Sequence, residues 1–408
     1  MLRSKQTSAV RQFIKEHADD NPERLLLAAS RYPGIDVPFA VEQIVSRWQI
    51  RDKLPSWFAN DELVFPSRVA AEQCSSEQAA RYKEQFIREN TCLCDLTGGL
   101  GVDSSFFSHK ARRIIYVERF DAYCEAARHN FRILGADNIE VWQGDATLLL
   151  NDLPEIDVFY IDPARRGDGN KRVFALQDCE PDLTKLLPSL LERAPLVITK
   201  LSPMADIHQV LELLPGTQEV HVLSVRNDCK ELLLVIGRSE ASRSLPVTCV
   251  NYTAEGWEER FVFDLQQEKQ QEITYAGDIR SYLYEPNASL LKAGAFKSVT
   301  MLGVNKLHPH SHLYTSSQLI ETFPGRIFQV EEVLPFNNAL CKILNRTIPK
   351  ANITIRNFPL TVEGLRKKTK LKDGGDVYLF ATTLSDRQKV LIRCSKITPA
   401  RSGKQEDH

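Results

Sequence analysis

"CLCDLTGGLGVD", residues 92–103, joins an apolar run to a turn with three glycines and then to a second apolar stretch. The run over 91–96 reads as a buried strand. Gly98, Gly99 and Gly101 stand where the chain must turn sharply and let a ligand approach the backbone. Outward from it, strands are expected at 91–96, 113–118, 139–143, 157–161, 195–201, 219–225 and 230–237. Helical stretches fall between most of them, such as "DAYCEAARHNFRILG", with Asp121 as cap and Gly135 as stop. This alternation predicts a parallel sheet covered on both faces. The last two strands are too close for a crossover helix, so they form an antiparallel hairpin at the sheet's end.

Acids stand where such a sheet holds ligands. Glu118 closes the second strand, "RIIYVER", 23 residues after Asp95. An acid there accepts both ribose hydroxyls of an adenosine ligand. Asp95 precedes the glycines, where it would repel a pyrophosphate but can hold a methionyl amine. Asp145 in "NIEVWQGDA" is placed to accept from an adenine amino group. The pattern therefore favours S-adenosylmethionine (SAM) over a dinucleotide. The fourth strand ends in "FYIDPARRGDG" (159–169), which sets Asp162, Pro163, Arg165 and Arg166 at the ligand edge.

On these residues, 91–237 resemble a class I SAM-dependent methyltransferase. Asp95, Gly99 and Gly101 match its first motif, Glu118 its ribose acid, Asp145 its adenine-side acid, and Asp162–Pro163 its fourth motif. The resemblance implies a cofactor site of Asp95, Thr97, Gly99, Gly101, Glu118, Asp145 and Ala146. The whole chain is similar to a bacterial family of predicted methyltransferases with a C-terminal THUMP-like domain, through "EQCSSE", "DLTGGLGVD", "DPARR", "TKLSP", "NDCKE" and "YEPNASLLKAG". THUMP domains are associated with RNA binding, usually of tRNA. "CSSEQAARYKEQF" also resembles the helical segment before the core of cap-guanosine hypermethylases. That makes Ser75, Ser76 and Glu77 candidates for a lid, beside a plain helix-capping role with Ser75 and Gln78.

Amino-group methyltransferases follow the fourth-motif acid with two prolines and an aromatic. Here Ala164 replaces the second proline and Arg165 the aromatic. An arginine plane can stack on a base or clamp a phosphate. Asp162, Pro163 and Arg165 are thus the catalytic candidates. Uridine C5 chemistry needs a nucleophilic cysteine after the fifth strand. "VITKLSPMAD" has none there, and Lys200 and Ser202 take the substrate side with Arg166.

Residues 1–90 read as a helical domain, 91–238 as the SAM-binding domain, 239–280 as a connecting region and 281–400 as the THUMP-like domain. The expected fold is α/β: a seven-stranded Rossmann-like sheet with an antiparallel last strand, flanked by the helical domain and a smaller C-terminal α/β domain. A helix is expected to begin at Pro286, and another, in "LTVEGLRKKTKLKDGG", to close on its glycines. Residues 281–408 hold 19 Lys and Arg against 10 Asp and Glu, within a chain of net charge −1. Arg366, Lys367 and Lys368 are the candidates for holding an RNA backbone. "HPHSH" (308–312) reads as a loop, and no metal is expected. The N-terminus lacks the apolar core of a secretory signal and no run is long enough to span a bilayer. A cytoplasmic protein with no membrane contact is expected. The leading reading is a SAM-dependent methyltransferase acting on a base nitrogen of RNA. The alternatives are a small-molecule or protein methyltransferase, and a catalytically silent RNA-binding protein that keeps SAM.

Overall fold

The apolar run before the glycines forms β1 (Cys92–Asp95), buried along its whole length. It is followed by β2 (Arg113–Glu118), β3 (Ile139–Gln143) and β4 (Val158–Ile161). A short antiparallel pair comes next, β5 (Ala164–Arg165) with β6 (Cys179–Glu180). Then come β7 (Leu196–Leu201), β8 (Thr217–Val225), β9 (Asp228–Gly237), β10 (Pro246–Tyr252) and β11 (Glu258–Asp264). The computed structural model describes residues 6–165, 176–238 and 244–399. The chain divides into two units, Met1–Gln218 with Leu233–Ala241, and Glu219–Leu232 with Ser242–His408.

In the first unit β3, β2, β1, β4 and β7 form one parallel ladder. The chain builds from β1 outward to β3 and then restarts at β4 on the other side of β1. This reversal of strand order leaves a crevice beyond the carboxyl ends of β1 and β4, where α/β sheets bind ligands. The glycine turn fits only without side chains. A Cβ on Gly98 would meet the Tyr116 ring at 2.2 Å, and one on Gly101 the Phe131 ring at 2.7 Å. Gly101 also has φ +84° and starts the helix Val102–Phe107.

The N-terminal helices include Ser8–Glu16, Pro22–Leu27, Val37–Ile50, Arg68–Gln73 and Glu77–Glu84. Thr7, Asn21, Asp36, Ser67 and Ser76 each accept a first-turn N–H with a side-chain oxygen. Trp57, Phe65 and Ala80 pack with Leu100, Val102 and Phe106, which binds these helices to the glycine turn.

Three expected helix starts shift by one or two residues. The cap of Glu77–Glu84 is Ser76, not Ser75. Phe120 precedes the helix Asp121–Ile133, and Asp121 is its first residue. Asn287, not Pro286, begins Ala288–Ala293, because its side chain accepts the N–H groups of Ser289 and Leu290.

The sheet has nine strands rather than the expected seven, in the order β11-β10-β8-β9-β7-β4-β1-β2-β3. The β8–β9 connection is a hairpin turn at Arg226 and Asn227, both with positive φ. It is not at the sheet's end. β10 runs parallel to β8, pairing Val247 with Val220, and β11 is antiparallel to β10. Without β10 the outer edge of β8 would be an unpaired row of peptide groups.

The second unit has its own seven-stranded sheet, β12 (Tyr282–Pro286), β13 (Asn305–Lys306), β14 (Tyr314–Ser316), β15 (Gly325–Pro335), β16 (Asn352–Arg356), β17 (Val377–Thr383) and β18 (Lys389–Ile397). Its order is β13-β14-β12-β15-β18-β17-β16. The helices Asn338–Thr347 and Val362–Thr369 pack on it through Leu344, Ile348 and Leu365. The second helix ends at Lys370, in left-handed conformation with φ +64°, before the glycines are reached. Among the described residues no helix is long and apolar enough to cross a membrane.

Candidate active site

A cavity of about 490 Å³ opens at the crevice beyond β1 and β4. It is within the range of cofactor pockets. Its wall includes Asp95, Thr97, Gly99, Gly101, Glu118, Asp145, Ala146, Asp162 and Lys200. Pro163 is buried and Ser202 accepts the Met204 N–H at 3.2 Å, and neither lines the cavity. Arg165 contributes its backbone to the β5–β6 pair, opposite Cys179. Arg166 lies outside the described residues.

Glu118 sits where β2 ends and is 9% exposed. Its Oε2 accepts the Gly99 N–H at 3.0 Å and its Oε1 the Phe120 N–H at 2.8 Å. The carboxylate is thus aimed by the two loops it bridges, and each oxygen keeps a further lone pair. Phe120, 55% exposed, is part of the same wall and offers an aromatic face beside Glu118. The sequence signal for it is an aromatic two residues after that acid, in "VERF". Asp145 caps the helix Ala146–Leu149, and both bonds from Thr147 fall on Oδ1, which leaves Oδ2 as an acceptor.

Asp95 is 1% exposed and bonded to the Ser104 hydroxyl and the Thr97 N–H. Burial outweighs these bonds and pushes its pKa up to about 7. Thr97 ties the two strand ends together, because its Oγ1 accepts the Asp162 N–H at 2.7 Å. Asp162 itself is ion-paired with Lys200. Among the described residues Cys74 is the one thiol in the wall, and burial pushes its pKa up. A thiol held protonated is a poor nucleophile.

A buried group closes the N-terminal side. Lys83 pairs with Asp103 Oδ1 at 2.9 Å, and Ser75 and Tyr160 both donate to Asp103 Oδ2, at 2.9 and 2.7 Å. Burial alone would raise the Asp103 pKa, but Lys83 and Lys200 hold it below the ordinary value. Ser75 thus has a partner across the cavity wall. Ser76 caps its helix, and Glu77 accepts the Ser56 N–H at 3.0 Å.

In the second unit Lys367 and Lys368 are exposed. Arg366 is not available in the same way. It is ion-paired with Asp373 and donates to the Ala351 carbonyl at 3.2 Å, which anchors the end of its helix. Arg356 is likewise bonded to buried Glu285.

The residues present fit SAM. An aimed carboxylate, an exposed aromatic ring and an acceptor oxygen of Asp145 line one cavity, and buried acids stand at the glycine turn. A family model described as a ferredoxin-like domain matches residues 282–324, and one described as THUMP domain-like matches residues 325–396. No curated protein matches the chain. Among the solved structures that match, two examples cover about two fifths of it. A precorrin-6y C5,15-methyltransferase from Geobacter metallireducens GS-15 is 15% identical over 41% of this chain and 91% of that one, with TM-score 0.31. A proposed methyltransferase from Streptococcus mutans, in complex with SAH, is 17% identical over 40% of this chain and 96% of that one, with TM-score 0.30. A third covers nearly everything. The crystal structure of a proposed methyltransferase from Porphyromonas gingivalis W83 is 40% identical over 96% of this chain and 98% of that one, with TM-score 0.87. Likeness at this level across both units, together with the THUMP-like match and the motif residues gathered around one cavity, means that the chain belongs to the bacterial family of class I SAM-dependent methyltransferases with a C-terminal THUMP-like domain.

Proposed function

We propose that this chain binds SAM in the cavity beyond β1 and β4 and transfers its methyl group to a base nitrogen of RNA. The observation that carries this reading is one cavity lined by both the aimed Glu118 carboxylate and Asp162. Bound SAM supplies a methyl group already activated by its sulfonium. Catalysis by the protein is then chiefly a matter of orientation. Glu118 receives the ribose hydroxyls, Phe120 covers an adenine face, Asp145 accepts from the adenine amine, and Asp95 faces the methionyl ammonium. Asp162 receives the N–H of the target base and orients its nitrogen. Glu118→Ala is expected to weaken SAM binding by about 1–3 kcal/mol, the usual cost of a lost charge-assisted contact. Calorimetry showing unchanged affinity in the folded variant would reject this arrangement.

Asp95 gives the cofactor site a pH dependence. With a pKa of about 7, roughly a tenth of the group is ionised at pH 6 and nine-tenths at pH 8. A cation draws it into the charged form, so binding releases a proton near neutrality. SAM affinity should rise roughly tenfold from pH 6 to 8, with heats that depend on the buffer's ionisation enthalpy. The sign for folding is opposite. The raised pKa means that the folded chain keeps a proton the unfolded chain has lost. The contribution of Asp95 to stability is therefore greatest below the ordinary value of 3.8 and is lost as pH rises towards about 7. A flat affinity profile without proton release would remove Asp95 from the ammonium site.

The THUMP-like match supports RNA as the substrate, and exposed Lys367 and Lys368 supply charge for its backbone. The double variant Lys367→Glu, Lys368→Glu should weaken RNA binding and lower the slope of log K against log salt by roughly 1–2. SAM affinity should be unaffected. RNA binding with the same strength and slope would end the role of this helix.

A further inference from the structure

Asp162 follows the last residue of β4, and Lys200 lies on the neighbouring strand β7. The ladder pairs Ile161 with Thr199, so Asp162 and Lys200 are the next residues along, side by side. Both line the cavity and they are ion-paired, with the lysine side chain only 14% exposed. A carboxylate only accepts and an ammonium only donates. The site therefore presents an acceptor next to a donor, and its complement is a donor next to an acceptor.

We propose that Asp162 and Lys200 read the lactam edge of a nucleobase, a ring N–H beside a carbonyl oxygen. Guanine and uracil carry that edge in RNA. Adenine and cytosine do not. This inference rests on the proposed methyl transfer to RNA and narrows it to a ring nitrogen.

The choice against an exocyclic amine follows from where charge develops. Adenine and cytosine also set an N–H beside an acceptor, but that acceptor is a ring nitrogen conjugated with the amine. An ammonium bonded to it withdraws the electron density that must attack, so Lys200 would oppose the reaction. On a lactam the same ammonium helps. Asp162 takes the ring proton, forming its O–H bond as the N–H bond breaks. The electron pair left on the base spreads onto the carbonyl oxygen, where Lys200 meets the growing negative charge. That pair then forms the bond from nitrogen to the methyl carbon. The carbon–sulfur bond breaks with its electrons kept by sulfur, which leaves a neutral thioether. The charge on oxygen disappears as the N-methyl lactam forms, and Asp162 gives its proton to water. An interaction that strengthens as the reaction proceeds lowers the barrier, whereas one that weakens the nucleophile raises it. Low exposure of the lysine enlarges either effect.

Two measurements test this. Total RNA is incubated with the protein and SAM labelled in its methyl group, digested, and separated into nucleosides. Label is expected in guanosine or uridine methylated on a ring nitrogen, and the two separate cleanly. Label in adenosine, in cytidine or on an exocyclic amine overturns the proposal. The second measurement does not use activity. Dissociation constants for GMP, UMP, AMP and CMP are measured by NMR in the presence of S-adenosylhomocysteine, for the natural chain and for Lys200→Met. GMP or UMP should bind about tenfold more tightly than AMP and CMP, a preference of the kind a hydrogen-bonding site imposes, and Lys200→Met should abolish it. Equal affinities in the natural chain, or a preference that survives Lys200→Met, overturn the edge reading. If no RNA takes label, methyl transfer to RNA is itself wrong, and the nucleotide affinities still decide the edge.

Discussion

Asp162→Asn should slow methyl transfer by about a hundredfold or more, the usual worth of a positioned acid or base, with SAM affinity nearly unchanged. The amide keeps the size of the side chain and one acceptor oxygen. It cannot take a proton, and it no longer neutralises Lys200. The backbone N–H of residue 162 still donates to Thr97, so the strand end stays in place. Single-turnover rates report the loss, and calorimetry with SAM reports the integrity of the cofactor side. The two readouts separate because Glu118 ends β2 and Asp145 follows β3, and neither strand pairs with β4. A variant that turns RNA over at the natural rate would show that Asp162 neither orients the base nor takes its proton.

The second large effect is on stability. Lys83→Met is expected to cost about 3 kcal/mol, near the lower end for breaking a buried pair. Lys83 is fully buried and Asp103 is 11% exposed, so removing the cation strands a carboxylate away from water. Ser75 and Tyr160 continue to donate to it, which is why the lower end applies. The double variant Lys83→Met, Asp103→Leu removes both charges and should recover most of the loss, because an apolar pair of similar size carries no such penalty. Urea unfolding measures both. An unchanged midpoint in Lys83→Met would mean that the pair contributes nothing to holding the N-terminal helices against the cavity wall.

Much of this was legible in the chain because its signals are local. A strand followed by Gly98, Gly99 and Gly101, and an acid at the end of the next strand, are each set within a few residues. What was not legible depends on which strands become neighbours. Asp162 and Lys200 are 38 residues apart and meet only because β4 and β7 pair in one register. Lys83 and Asp103 meet because a helix from before β1 packs on the helix after it. β10 and β11 fall in 239–280, expected only as a connecting region. Their place in the sheet was not legible, since the partner edge belongs to β8 and the burial of β11 alternates as in an edge strand. Arg366 carries the same sequence signal as Lys367 and Lys368, yet it is committed to Asp373 and a carbonyl. Charge in a string does not show which members are already paired.

The most direct test is transfer of labelled methyl from SAM into total RNA, with protein and small-metabolite fractions measured in parallel. Label accumulating in RNA, lost in Asp162→Asn and retained in a variant with normal SAM affinity and an intact Asp162–Lys200 pair, is the predicted result. Label confined to protein or to small metabolites, or absent from every fraction while SAM binds, would contradict it.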